Sequence, residues 1–178
     1  RILSFEPLSA AFNILEKKVE NDKLWEAYNY ALGNTNCEKE INIADNSFSS
    51  SFLQMLDSHV KSDPKSKYVD KQLVQIKTLD SIFNNICTGY QNILLKLDAQ
   101  GFEQHIIKGA EKSLEKIDSL QIEMSLIPLY EGEMLFHDML QLLQKKGYTL
   151  VSIEQGFLDK NTGQQLQVDG IFHRFSSK

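Results

Sequence analysis

Cysteine is scarce in this sequence of 178 residues, which contains only Cys37 and Cys87. Two cysteines are too few for a disulfide framework or a zinc site. They are typical of small, partly buried thiols in a reducing compartment. The sequence therefore predicts a cytoplasmic protein.

The chain also lacks an excess of basic residues and a long apolar run. Its 19 Lys and Arg residues and 24 Asp and Glu residues give a net charge of −5 with histidine neutral. Phosphate backbones are bound by clustered Lys and Arg, so this balance predicts no nucleic-acid partner. No apolar stretch approaches the roughly 18 residues that a membrane helix needs, so no membrane contact is expected.

Glycine-rich turns are missing as well. The nine glycines are scattered, and no two of them make the G-x-G pattern of a nucleotide-binding turn. The His, Cys and Asp residues have no spacing that is typical of a metal site, so no metal is expected.

Strand and helix patterns alternate along the chain. Strand patterns occupy residues 1–5, 24–32, 40–44, 73–76, 92–98, 119–126, 148–157 and 164–175, and helix patterns occupy residues 8–19, 79–86, 103–117 and 134–146. Such alternation predicts one α/β domain over residues 1–178, with a mainly parallel sheet and helices on both faces. The last two strands predict a closing antiparallel hairpin. A second hairpin is expected between residues 24–32 and 40–44, and a flexible excursion at residues 58–70.

Polar residues stand where the predicted strands end. They are Glu6, Asn29, Asp98 and Glu123. Open α/β sheets bind ligands at the carboxyl ends of their parallel strands, so these side chains are expected at one edge. A carboxylate just past a strand can accept hydrogen bonds from the two hydroxyls of a ribose. Taken singly, each acid could equally be a surface carboxylate or a helix cap.

Several segments resemble one family in the same order. They are Ser4-Phe5-Glu6-Pro7, Asn29-Tyr30-Ala31-Leu32-Gly33, Leu97-Asp98-Ala99-Gln100-Gly101-Phe102-Glu103 and Ile107-Lys108-Gly109-Ala110. The set resembles the FkbM family of S-adenosylmethionine-dependent methyltransferases. The resemblance implies a Rossmann-like class I methyltransferase fold with S-adenosylmethionine as the cofactor. The cofactor-binding residues that it implies are Glu6, Pro7, Asn29, Ala31, Leu32, Ser50 and Asp98.

Methyl transfer is an in-line displacement that needs an aligned nucleophilic oxygen and often a group that takes its proton. We expect Asp98 to orient the cofactor or the acceptor, and Glu103 and Glu123 to take part in catalysis. Each has a plain alternative: a helix N-cap at Asp98, a first-turn acid at Glu103 and a structural carboxylate at Glu123. Tyr130 and Glu131 are expected to line the acceptor pocket.

The resemblance also implies a first strand and a glycine-rich turn that should precede Arg1. The domain is therefore expected to be incomplete at its N-terminal end, unless a partner fills this place or the sheet is rearranged. The expected reaction is O-methylation of a hydroxyl on a carbohydrate or a secondary metabolite. The alternative is a non-catalytic Rossmann-like interaction domain that has lost cofactor binding. A nicotinamide-dependent oxidoreductase is disfavoured by the closing hairpin, and the sequence does not decide between a monomer and a homo-oligomer.

Overall fold

The computed structural model describes residues 1–175 and has the mixed α/β class that the sequence predicts. Its strands are β1 (Ile2–Phe5), β2 (Trp25–Tyr28), β3 (Ala31–Leu32), β4 (Cys37–Ala44), β5 (Tyr68–Lys77), β6 (Leu94–Leu97), β7 (Ser119–Ser125), β8 (Thr149–Gln155) and β9 (Gln167–His173). Its helices are α1 (Ser9–Val19), α2 (Asp57–Ser62), α3 (Leu79–Ile86), α4 (Glu103–Lys108) and α5 (Phe136–Lys145). The last three residues of the predicted domain, 176–178, lie outside the described residues.

The described strands form three hydrogen-bonded sheets. The first sheet is the parallel pair of β1 and β2. The order of neighbouring strands is β3-β5-β4 in the second sheet and β6-β7-β9-β8 in the third. β3 and β6 run parallel to β5 and β7, respectively. The β4–β5, β7–β9 and β8–β9 pairs are antiparallel. The predicted closing hairpin is therefore confirmed as the β8–β9 pair.

The prediction of a mainly parallel sheet is not confirmed, because antiparallel pairs are as numerous as parallel ones among the described strands. The predicted hairpin between residues 24–32 and 40–44 is wrong. β2 pairs with β1, whereas β4 pairs with β5, with Cys37 opposite Ile76. A pattern of apolar residues identifies a strand but not its neighbour, and sequential strands are often not adjacent.

The connection between β4 and β5, where the sequence predicts a flexible excursion at residues 58–70, contains α2 and is held by hydrogen bonds of its own polar side chains. Asn46 Nδ2 donates to Asp63 Oδ2 at 2.9 Å, and Asp63 Oδ1 accepts from the backbone N–H of Lys65 at 3.1 Å. Ser66 is fully buried, and its Oγ donates to the Asp63 carbonyl at 2.6 Å. Short polar side chains of this kind satisfy the backbone without regular secondary structure.

The main core lies where the third sheet meets α5. Leu120 and Ile122 of β7 are two residues apart, so they face the same side of the sheet, and both are fully buried. Met139 and Leu143 are one helical turn apart on α5 and are buried with them, as is Phe172 of β9. Burial of each such side chain stabilises the fold by about 1.5–3 kcal/mol. The core thus holds β7 and its polar end in a fixed position.

β1 and β6 have free edges in the described part of the chain. β1 pairs only with β2, and β6 pairs only with β7. Both strands line one cavity. The carboxyl ends of two parallel-paired strands, Phe5 and Leu97, therefore open into the same space.

Candidate functional site

The candidate site is a cavity of about 1180 Å³ whose walls come from several separate segments between residues 1 and 123. β1, β3 and β6 contribute to it, together with α3 and the connection after β4. A typical pocket for one small molecule has about 300–1000 Å³. The cavity is larger than that, because it runs along the whole of β1 and β6 and not only past their carboxyl ends.

At the end of β1, Glu6 lies on the cavity wall directly before α1. One carboxylate oxygen accepts from the backbone N–H of Leu8 at 2.8 Å, and the other has no hydrogen-bond partner among the described residues. Burial raises the pKa of Glu6 above its usual value, and the bond from Leu8 opposes this rise. Asn29 is not on the cavity wall; its amide donates to the carbonyls of Glu6 and Pro7 at 2.9 and 3.1 Å. Asn29 thus fixes the backbone that carries the carboxylate.

The tight turn after β6 brings a second group of polar residues to the cavity. Gln100 and Gly101 both have positive φ, at 52° and 88°. A Cβ on Gly101 would meet the side chains of Tyr130 and Glu133 at 3.1–3.2 Å, so glycine meets both the conformational and the steric demand. The turn directs the Gln100 amide back to Asp98 Oδ1, at 3.0 Å.

Glu123 of β7 reaches the same part of the wall. Its Oε2 accepts from Nε2 of Gln100 and from Nε2 of Gln167, both at 2.9 Å. Burial raises the pKa of Glu123 to about 8, and the negative charges of Asp98, Glu103 and Asp169 act in the same direction. A carboxyl group that titrates near neutral pH can exchange a proton with a ligand.

Glu103 lies behind the wall and not on it. It is 5% exposed at the start of α4, and one carboxylate oxygen accepts from the backbone N–H of Ala99 at 2.7 Å. Burial raises its pKa to about 7. The observed contacts are those of a side chain that secures the turn between β6 and α4.

The two residues predicted for the acceptor pocket do not line the cavity. Tyr130 is 1% exposed, and its hydroxyl donates to Oε1 of Gln100 at 2.8 Å. Burial raises the pKa of Tyr130 far above its usual value, so the hydroxyl stays protonated and remains a donor. Glu131 is exposed and contributes its backbone N–H to the Gln54 carbonyl at 2.8 Å.

A polar loop between β4 and α2 forms another part of the wall. Ser50 Oγ accepts from the backbone N–H of Ala44 at 3.0 Å and donates to the Ser47 carbonyl at 2.8 Å. Ser47 has a φ of 60°, and these bonds hold the strained turn. Phe48 projects from this turn with 84% of its surface exposed, although it lines the cavity. An aromatic ring is therefore held in solvent beside the cavity.

The structure thus brings seven of the eleven predicted site residues to one cavity. Those on the wall are Glu6, Pro7, Ala31, Leu32, Ser50, Asp98 and Glu123. Those away from it are Asn29, Glu103, Tyr130 and Glu131.

Three residues on or near the wall are not singled out from the sequence. Gln100 stands inside the segment that carries the family resemblance, so that segment is a signal for it. Gln167 and Phe48 have no such signal, because one is brought in by the β7–β9 pairing and the other by a turn with positive φ.

Within residues 1–175, no group of three or more His, Cys, Asp or Glu side chains is arranged to hold a metal ion. Over the same residues, no helix has both the length and the apolar character to cross a membrane.

The fold and the site define an α/β domain with acidic side chains gathered from strand ends around one cavity. Residues 1–150 match the family described as the methyltransferase FkbM domain. The chain therefore belongs to the FkbM methyltransferase family, which confirms the resemblance seen in the sequence. Comparison with curated proteins and with solved structures found no match.

Proposed function

We propose that this domain is a methyltransferase that uses S-adenosylmethionine in a Rossmann-like arrangement and methylates a hydroxyl group. The observation that carries the proposal is the placement of Glu6 and Asp98, which directly follow β1 and β6, on one cavity wall. Family membership supports methyl transfer in general. The donor and the acceptor are the part that we add.

The residues at the end of β1 suit an adenosyl group. Glu6 keeps one carboxylate oxygen free of partners among the described residues while Leu8 holds the other. A ribose presents two adjacent hydroxyl donors, which such a carboxylate can accept. The buried side chains of Ala31 and Leu32 add an apolar wall on which the adenine ring could pack.

The charges on the wall favour a neutral acceptor. Glu6, Asp98 and Glu123 line the cavity, and the two basic residues there are Arg1 and Lys96. Arg1 pairs with Glu26, and Lys96 lies 3.8 Å from Asp98. Both cations therefore already have an acidic partner, and an anionic acceptor would find no unpaired basic side chain among the described residues of this wall. The exposed ring of Phe48 would suit the apolar face of a sugar or of a secondary metabolite.

Glu123 is the residue best placed to take the acceptor's proton, because its Oε1 has no partner among the described residues and its pKa is raised to about 8. S-adenosylmethionine, when bound, would supply a methyl group attached to a positively charged sulfur. An aligned oxygen can attack the methyl carbon, with the sulfur as the leaving group. Asp98 would orient ligands beside Glu123. Glu103 would act through the turn that it secures.

Calorimetric titration with S-adenosylhomocysteine tests the proposal on the protein as encoded, including any residues before Arg1. The wild type should bind, and Glu6→Gln should bind more weakly. Glutamine can still accept from Leu8, but it lacks the charge. Hydrogen bonds to charged groups contribute about 1.5–3 kcal/mol, so their loss should weaken the affinity for S-adenosylhomocysteine by about 10- to 150-fold. Glu16→Gln on the exposed side of α1 is the matched control and should bind as the wild type does.

Absence of binding by the wild type at high ligand concentration would eliminate the enzyme proposal and favour the alternative, a non-catalytic interaction domain. Equal affinities of the wild type and Glu6→Gln would remove Glu6 from the cofactor site. The acceptor class would then be sought by activity screening of neutral hydroxyl compounds, with acidic analogues as the contrasting set.

For the location, we propose a reducing compartment such as the cytoplasm. The support is that Cys37 and Cys87 are both free thiols.

A further inference from the structure

Gln100 joins the polar groups of the cavity wall. Its Nε2 donates to Asp98 Oδ1 at 3.0 Å and to Glu123 Oε2 at 2.9 Å. Its Oε1 accepts from the Tyr130 hydroxyl at 2.8 Å, and its backbone carbonyl accepts from Ser51 Oγ at 2.7 Å. A donor on Oε1 and two carboxylates on Nε2 leave the amide one favourable orientation. These bonds hold the Gln100 backbone at a φ of 52°, a value that residues other than glycine rarely adopt.

We infer that Gln100 is a positioning residue: it holds the carboxyl groups of Asp98 and Glu123 side by side and leaves Oε1 of Glu123 as the oxygen that takes the acceptor's proton. This inference deepens the proposed methyltransferase function and rests on it. Oε2 of Glu123 already accepts from Gln100 and from Gln167, so both of its lone pairs are engaged. Oε1 has no partner among the described residues, and Glu123 lies on the cavity wall.

The proton transfer is balanced by the methyl transfer. The acceptor's O–H bond breaks, and its proton forms a bond to Oε1. The electron pair left on the acceptor oxygen forms the bond to the methyl carbon, while the pair of the broken carbon–sulfur bond stays on sulfur. Glu123 is the residue that would touch the acceptor, and Gln100 acts through it.

Opposed forces around Glu123 make its titration sensitive to the loss of one donor. The two amide N–H groups favour the anion, whereas burial and nearby acids favour the neutral form. Titratable and charged groups surround Glu123 on several elements. They are Lys96 and Asp98 at the end of β6, Glu103 of α4, Tyr130 and Glu133 before α5, and Asp169 of β9. None of these groups would be removed by a change at Gln100.

The test is the titration of the Glu123 side chain in the unliganded protein. It is followed by carbon NMR of glutamate-labelled protein, with Glu123→Gln identifying the signal. Gln100→Met keeps the length of the side chain but has no amide, so the Glu123 midpoint should rise by about one pH unit. Gln104→Met is the matched control. Gln104 is another amide near the same turn, and its Nε2 donates to the Gly132 carbonyl and not to the acids.

An unchanged midpoint in folded Gln100→Met would overturn the inference. If this variant does not fold, Gln100→Asn keeps an amide on a side chain one carbon shorter, which takes its donor away from Glu123 Oε2, and it decides the question by the same upward shift. The positioning role and the proposed function fail separately. A shifted midpoint in a protein that binds no S-adenosylhomocysteine would retain the first and reject the second. Once an acceptor is known, the same variant should move the pH profile of kcat by the same amount, which a purely structural role would not do.

Discussion

Gly109, where α4 ends, allows two backbone segments to touch, and Gly109→Ala should separate them. A Cβ there would lie 1.9 Å from the Gly33 carbonyl oxygen and 2.9 Å from its carbon. Carbon and oxygen normally approach to about 3.3 Å, so the segments would have to move apart by more than an ångström. Since both are backbone, no rotamer change relieves the clash. Overpacking costs about 1–3 kcal/mol, and a conflict of this depth belongs near the upper figure.

For a chain of this length, each kcal/mol lowers the melting temperature by about 2–4 °C, so Gly109→Ala should lower it by about 6–12 °C. Circular dichroism during heating measures the change. Gly89→Ala is the matched control, because Gly89 has a φ of 84° but nothing within 4 Å of the added Cβ. It should lose only the cost of the left-handed backbone, about 1 kcal/mol. The reasoning is refuted if Gly109→Ala melts no lower than Gly89→Ala.

Glu103 and Phe48 support two more predictions. Burial raises the pKa of Glu103 from 4.5 to about 7. Neutral Glu103 therefore makes its whole contribution to the free energy of unfolding below about pH 4.5, the pKa in the unfolded chain. This contribution is lost as the pH rises through about 7, the pKa in the folded protein. Glu103→Gln should remove this loss of about 3 kcal/mol. The free energies of urea unfolding of the variant and the wild type should therefore differ by different amounts at about pH 5 and about pH 8, and an equal difference at the two pH values would contradict the prediction. Phe48→Ala should raise the acceptor KM about tenfold, for about 1.4 kcal/mol of lost contact, with stability changed by less than about 0.5 kcal/mol. Phe48→Tyr should keep the wild-type KM, and an unchanged KM in the alanine variant would exclude the contact.

The positions of strands and helices are more predictable than their partners. The nearly continuous apolar run at residues 92–98 is typical of a buried strand, and β6 lies within it at Leu94–Leu97. The apolar spacing at residues 134–146 likewise contains α5. The pairing of β4 with β5 is not predictable in this way, because it joins residues far apart in the chain and depends on contacts that no local period records.

The candidate site shows the same division. The sequence predicts that Glu6, Asp98 and Glu123 lie together, since each stands at or near the end of a strand, and all three line the cavity. The burial of Tyr130 and the central place of Gln100 are not predictable, because both depend on a backbone turn with positive φ. Such a turn has no apolar pattern in the sequence that would predict it.

The hydrogen bond from Ser51 to the Gln100 carbonyl has a kinetic consequence. Ser51 is also bonded through its backbone to Asn42 of β4, so the loop that carries Phe48 is tied at its base to β4 and to the turn after β6. Swinging this loop outward as a hinged lid would break all of these bonds together. If the proposed ligands bind in this cavity, we expect the loop to stay in place as they enter, so that their rate of entry does not depend on its movement.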